Sequence, residues 1–132
     1  MKEKLKNPKV ILLIGDLGYN FYEEVKELYP DRVINVGIAE QNAVVVAEGL
    51  AIAGMKPYVY TGQIFLLRAY EQIRNACYND LNIKFVGTGA SGFLGFSHNL
   101  QGKENMKDLF KNLPIKICSN LKFKDERTLI LL

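Results

Sequence analysis

One acid, Glu40, occupies a position where a charge is poorly tolerated. It follows Gly37-Ile38-Ala39 and precedes Ala43-Val-Val-Val-Ala-Glu-Gly-Leu-Ala-Ile-Ala53, a run apolar on every side except Glu48 that stops before Gly54 and Pro57. A run of this length with a glycine stop predicts a helix buried all round. Glu40 then falls in the first turn, where amide N–H groups partly compensate a negative charge while apolar surroundings penalise it. Such an acid is either satisfied by a protein partner or held ready for a ligand. Other groups have chemistry to offer beside it. His98, the only histidine, lies in a glycine-rich loop, and its imidazole can give or take a proton. Arg68 reads as a solvated cation or an anion contact, Phe65 as core or as a stacking surface. Asp16-Leu17, after an apolar run, is equally well a plain turn.

The elements that must position these groups alternate regularly. Val10–Ile14 is a continuous apolar run, as expected of a central strand covered on both faces. Phe21, Tyr22, Val25, Leu28 and Tyr29 recur at helical spacing before Pro30. Val33 to Val36 is the second strand, the apolar helix starts at about Glu40, and Lys56 to Tyr60 is the third strand. Leu66, Ala69, Tyr70, Ile73 and Cys77 mark one face of an amphipathic helix, with Arg68, Glu71, Arg74 and Asn75 opposite. Ile83 to Val86 is a fourth strand, followed by a glycine-rich loop through Gly102. A helix with Met106, Leu109, Phe110 and Leu113 inward and a strand from Ile115 to Cys118 come next. After the charged stretch Lys122 to Arg127, Thr128 to Leu132 reads as a final strand. The pattern predicts an α/β fold of three α/β/α layers around a mostly parallel sheet. Ligands of such sheets bind at the carboxyl ends of the strands, where Asp16, Gly37, Glu40, Phe65 and His98 all fall.

The bulk numbers narrow the classes. With 132 residues and 48% hydrophobic composition, the chain is expected to form a single domain over 1–132 with a genuine core. A net charge of +3, with only Lys2, Lys4, Lys6 and Lys9 clustered, gives no basic stripe interleaved with aromatics and argues against nucleic acid. Cys77 and Cys118 have no metal-type spacing and are expected to be reduced, buried thiols. No metal site is predicted within the chain. The apolar runs are too short for a signal peptide or a membrane span, so the expected location is cytoplasmic.

The motifs Asp31-Arg-Val-Ile-Asn-Val-Gly-Ile-Ala-Glu-Gln-Asn42, Ala47-Glu-Gly-Leu-Ala51 and Arg68-Ala-Tyr-Glu-Gln-Ile73 closely resemble the pyrimidine-binding domain of the transketolase family, including the related 1-deoxyxylulose-5-phosphate synthases. The resemblance runs from about Val10 to about Pro114. It implies the thiamine-diphosphate-binding, pyrimidine-domain type of fold. By resemblance, Glu40 hydrogen-bonds the pyrimidine N1′ of thiamine diphosphate and shares a proton with it, Phe65 carries the pyrimidine, and Asp16 and Leu17 approach the thiazolium. Arg68 and His98 would face substrate, His98 also with a catalytic role. The resemblance further implies Mg²⁺ and diphosphate held by a separate diphosphate-binding domain, which is not found here. Hence the expectation of a stand-alone subunit, in a homodimer or heterotetramer, completed by a diphosphate-binding partner and transferring a ketol group between sugar phosphates. The alternatives are a non-catalytic remnant or assembly module of the same fold, or a deoxyxylulose-phosphate-synthase-like reaction.

One competing motif exists. Gly87-Thr-Gly89-Ala-Ser-Gly92 spells a nominal dinucleotide fingerprint after a strand. The following Phe93 to His98 does not open a helix and no suitably placed acid follows, so it reads as a flexible glycine-rich loop.

Overall fold

The computed structural model describes residues 1–89, 95 and 98–119, and the backbone of 128–131. Ala90 to Ser91 and Gly92 of the glycine motif, Phe96, Ser97 and the charged segment Lys122 to Arg127 lie outside the described residues.

The strands are β1 (Val10–Ile14), β2 (Val33–Asn35), β3 (Lys56–Gly62), β4 (Lys84–Thr88), β5 (Lys116–Cys118) and β6 (Thr128–Leu131). The helices are α1 (Lys2–Leu5), α2 (Phe21–Leu28), α3 (Glu40–Ile52), α4 (Tyr70–Tyr78) and α5 (Met106–Phe110), with a 3₁₀ helix, Ile64–Ala69, leading into α4. The strands form one sheet in the order β2-β1-β3-β4-β6-β5, and every pairing among the described residues is parallel. The last strand in sequence is inserted between β4 and β5, a placement that strand periodicity does not encode.

All five residues of β1 are buried because the strand is covered twice. Ile11 and Leu13 join a core with Ala43, Val44 and Ala47 of α3 and Ile73, Ala76 and Cys77 of α4. Val10, Leu12 and Ile14 join the opposite core with Leu5, Val25 and Val33. The side-chain period of two thus divides one apolar run between two layers. No helix among the described residues is long and apolar enough to cross a membrane.

Several expectations need correction. Helix α3 is not buried all round: Glu40, Ala43, Val44 and Ala47 are buried, but Val45 is 53% and Ile52 76% exposed. The sheet, the 3₁₀ helix and α4 cover one side of this helix, and Val45, Val46 and Ile52 remain exposed. Leu28 and Leu109, placed inward by periodicity, are exposed at the ends of their short helices. The helix carrying Arg68 begins as a 3₁₀ turn and becomes α-helical only at Tyr70. Of the two cysteines, Cys77 is buried and Cys118 only partly so.

Candidate functional site

In strand order, β1 and β3 are neighbours from which the chain proceeds in opposite directions, to β2 on one side and β4 on the other. Loops leaving the carboxyl ends of such a pair diverge and leave a crevice. Here the crevice is a cleft of about 230 Å³ that brings together all six residues singled out from the sequence: Asp16, Leu17, Glu40, Phe65, Arg68 and His98. Gly15 and Ile38 complete its lining.

Each wall has a local cause. After β1 the chain turns at Gly15, where a β-carbon would lie 2.9 Å from Thr61 Oγ1 on β3, so only glycine allows this approach. Asp16 then adopts a left-handed backbone (φ 51°), a conformation that Asp and Asn tolerate better than most residues. Its carboxylate accepts from Asn35 Nδ2 at 3.1 Å, while Asn35 Oδ1 accepts from the Gly37 amide at 2.8 Å. Gly37 itself has φ 72°, which favours glycine. Asn35 therefore ties the end of β1 to the turn that launches α3. The sequence reading missed Asn35, Gly15 and Ile38. For Asn35 the available signal was an Asn two residues before a Gly, the spacing of an Asx turn.

Glu40 is the first residue of α3 and is 4% exposed. Ala39, at the helix cap, supplies no side-chain acceptor, and Glu40 is the acid of the first turn, where the helix's unpaired amides favour a negative charge. Across the cleft, Arg68 Nη1 stands 3.4 Å and 3.5 Å from the two Glu40 oxygens. Both contacts are long for a charge-assisted hydrogen bond, and the Arg68 side chain is half exposed, so the pair stabilises the fold by only about 1 kcal/mol. The Arg68 guanidinium also lies over the Phe65 ring, 4.5 Å from its centroid. His98 meets that ring edge-on, with centroids 5.4 Å apart and planes at 82°.

Phe65 is therefore a wall of the cleft, half-buried, rather than part of the interior. Arg68, its side chain about half exposed, spans Phe65 and Glu40. The sum is a buried acid, an aromatic face and a neighbouring imidazole around a small crevice. That set can hold a flat, nitrogen-bearing ring by one hydrogen bond and one stacking face, and can share a proton at the bonded atom.

Comparisons with known proteins identify the family of this fold. Residues 2–120 match the family described as transketolase, pyrimidine binding domain. Over 74 residues, 55% of this chain, the sequence is 45% identical to the 1-deoxy-D-xylulose-5-phosphate synthases of Bacillus mycoides (strain KBAB4) and Bacillus cereus (strain B4264). That match covers 12% of each of those proteins. Among solved structures, a split gene transketolase, described as an inactive beta4 tetramer, is 30% identical with a TM-score of 0.75 over 98% of this chain and 46% of that one. Transketolase from Campylobacter jejuni has the same fold, with a TM-score of 0.78 over 96% of this chain at 18% identity. The chain thus spans less than half the length of these relatives, and it belongs to the transketolase pyrimidine-binding-domain family.

Proposed function

We propose that this chain is the pyrimidine-binding part of a thiamine-diphosphate-dependent, transketolase-like enzyme that transfers a ketol group between sugar phosphates. The observation that carries the reading is the buried Glu40 carboxylate beside the Phe65 face, in the crevice between β1 and β3. These residues fit an aminopyrimidine: a nearly enclosed acid meets a ring nitrogen, and an aromatic face meets the ring. When bound, thiamine diphosphate supplies the carbon–carbon chemistry.

This chain's residues would do the rest. Glu40 holds a proton at the ring nitrogen, where low polarity makes sharing it more effective than in water. Phe65 fixes the ring plane. Asp16 and Leu17, held by the Asn35 bridge, form the side facing the thiazolium. His98, against the Phe65 edge, faces substrate and acts as a proton donor or acceptor, while Arg68 receives the substrate phosphate. Mg²⁺ and the diphosphate are held by a diphosphate-binding partner subunit. The surface that such a subunit would cover includes Ile38, Val45, Val46 and Ile52, apolar side chains between 38% and 76% exposed. The assembly in this reading is a homodimer or heterotetramer.

The test is a titration of thiamine diphosphate with Mg²⁺ into this chain alone, into a diphosphate-binding transketolase chain alone, and into their mixture. Tight binding only in the mixture, abolished by Glu40→Ala, is expected. Equally tight binding by this chain alone, or indifference to Glu40→Ala, would overturn the reading. The 45% identity to deoxyxylulose-phosphate synthases over 74 residues favours a second reading, in which the reconstituted pair condenses pyruvate rather than a ketose donor. Product analysis with each donor separates the two.

A further inference from the structure

Within this chain, Arg68 already makes the two contacts that the proposed function assigns to a ligand ring. Its guanidinium covers the Phe65 face at 4.5 Å, and its Nη1 approaches both oxygens of Glu40. A guanidinium and an aminopyrimidine present the same features to such a pair of groups: a flat, delocalised plane with nitrogens along its edge. Both cannot occupy one aromatic face and one carboxylate together. We propose that Arg68 is a displaceable occupant of the ring site, so that a flat aminopyrimidine enters only as the guanidinium withdraws. This inference rests on the proposed ring site at Glu40 and Phe65.

The geometry suits an occupant that leaves. The contacts to Glu40, at 3.4 and 3.5 Å, fall outside the 2.7–2.9 Å of a well-formed pair of this kind, and 48% of the Arg68 side chain is exposed. A place to go exists as well. A second cleft, of about 390 Å³, shares Ile38, Glu40 and Arg68 with the first and adds Ala39, Gln41 and Asn42. The amide side chains of Gln41 and Asn42 supply oxygens that accept from a guanidinium. Moving there costs Arg68 its stacking on Phe65 but keeps its charge near Glu40.

An occupant present about nine-tenths of the time lowers apparent affinity about tenfold, by the fraction of molecules ready to bind. The experiment is a calorimetric titration of the neutral hydroxymethyl aminopyrimidine that forms half of thiamine, a probe without charge of its own. It is run on the full chain, wild type and with Arg68→Ala, Arg68→Lys or Glu40→Gln, each first checked for folding by circular dichroism. Arg68→Ala is expected to bind about tenfold more tightly than wild type. Arg68→Lys, which keeps the charge but not the flat face, falls between them. In the free wild-type chain, the Arg68 δ-methylene protons resonate upfield over the Phe65 ring and move downfield as the probe binds. Binding by wild type that Glu40→Gln abolishes, with no gain in Arg68→Ala or no movement of those protons, sinks the occupant and leaves the ring site standing. No binding by any variant overturns the occupant in this chain, while the proposed function stands or falls on the titration of the mixture.

Discussion

Helices α3 and α4 pack on the same face of the sheet yet distribute polarity in opposite ways. In α4, Ile73, Ala76 and Cys77 are inward and no more than 2% exposed, while Glu71 and Arg74 face solvent. In α3 the charged Glu40 is inward, and Val45, Val46 and Ile52 are outward. Helix α4 satisfies the ordinary rule for an amphipathic surface helix within this chain alone. Helix α3 departs from it, enclosing an acid where the cleft lies and leaving apolar Val45, Val46 and Ile52 uncovered although Ala43, Val44 and Ala47 face the core. Apolar side chains left exposed together on one helix offer a surface that another molecule could cover, and an enclosed acid lining a cleft is a candidate site. The two features of α3 belong together if the partner that covers the helix also completes the cleft.

The contrast can be broken most severely at Ile73. Ile73→Ala removes a fully buried side chain from the α4 face and should cost roughly 2–5 kcal/mol by denaturant titration. Ile52→Ala, the same kind of truncation on the exposed side of α3, should change the isolated chain's stability by less than about 0.5 kcal/mol. Similar losses at the two positions would show that α3 is covered in the isolated chain. Next in size, Asn35→Ala removes the bridge between Asp16 and Gly37 and should cost about 1 kcal/mol, with amide exchange accelerating at Gly37. Unchanged exchange there would mean that the turn into α3 holds itself.

The smallest effect sharpens the contrast at Glu48, the second acid on α3. Burial pushes its carboxyl above the usual carboxylate range, and its Oε1 is shielded from solvent without a hydrogen-bond partner. An acid raised in the folded state favours folding when neutral. That contribution is present below the ordinary carboxylate range and is lost as pH rises through the raised value. Glu48→Gln should therefore match wild type in thermal stability at acid pH and exceed it slightly at about pH 7. A difference independent of pH would place its origin in packing instead.

Much of this molecule was legible in its residues. Strand β1 was readable because Val10–Ile14 is apolar without interruption, and α4 because Ile73 and Cys77 recur four residues apart against charged neighbours. The six candidate site residues were readable through their positions after strands and their resemblance to a family, and the fold brings all of them to one cleft. The uncovered side of α3 was not legible. An apolar run reports that a helix avoids water, not whether its own chain or another provides the cover. Nor was the 3₁₀ start of the Arg68 segment, since Leu66 and Ala69 lie three apart and fit either helix.

By itself the sequence determined the order of the elements, the covered strand at the centre and the acid at the mouth of α3, because each is written in local periodicity and in glycine placement. Only the tertiary structure decided that β6 slips between β4 and β5, that α3 keeps one apolar side bare, and that Arg68 reaches across 28 positions of sequence to lie on Phe65 and against Glu40. Those outcomes depend on which surfaces meet once the sheet has assembled, and contacts between distant residues leave no period in the chain.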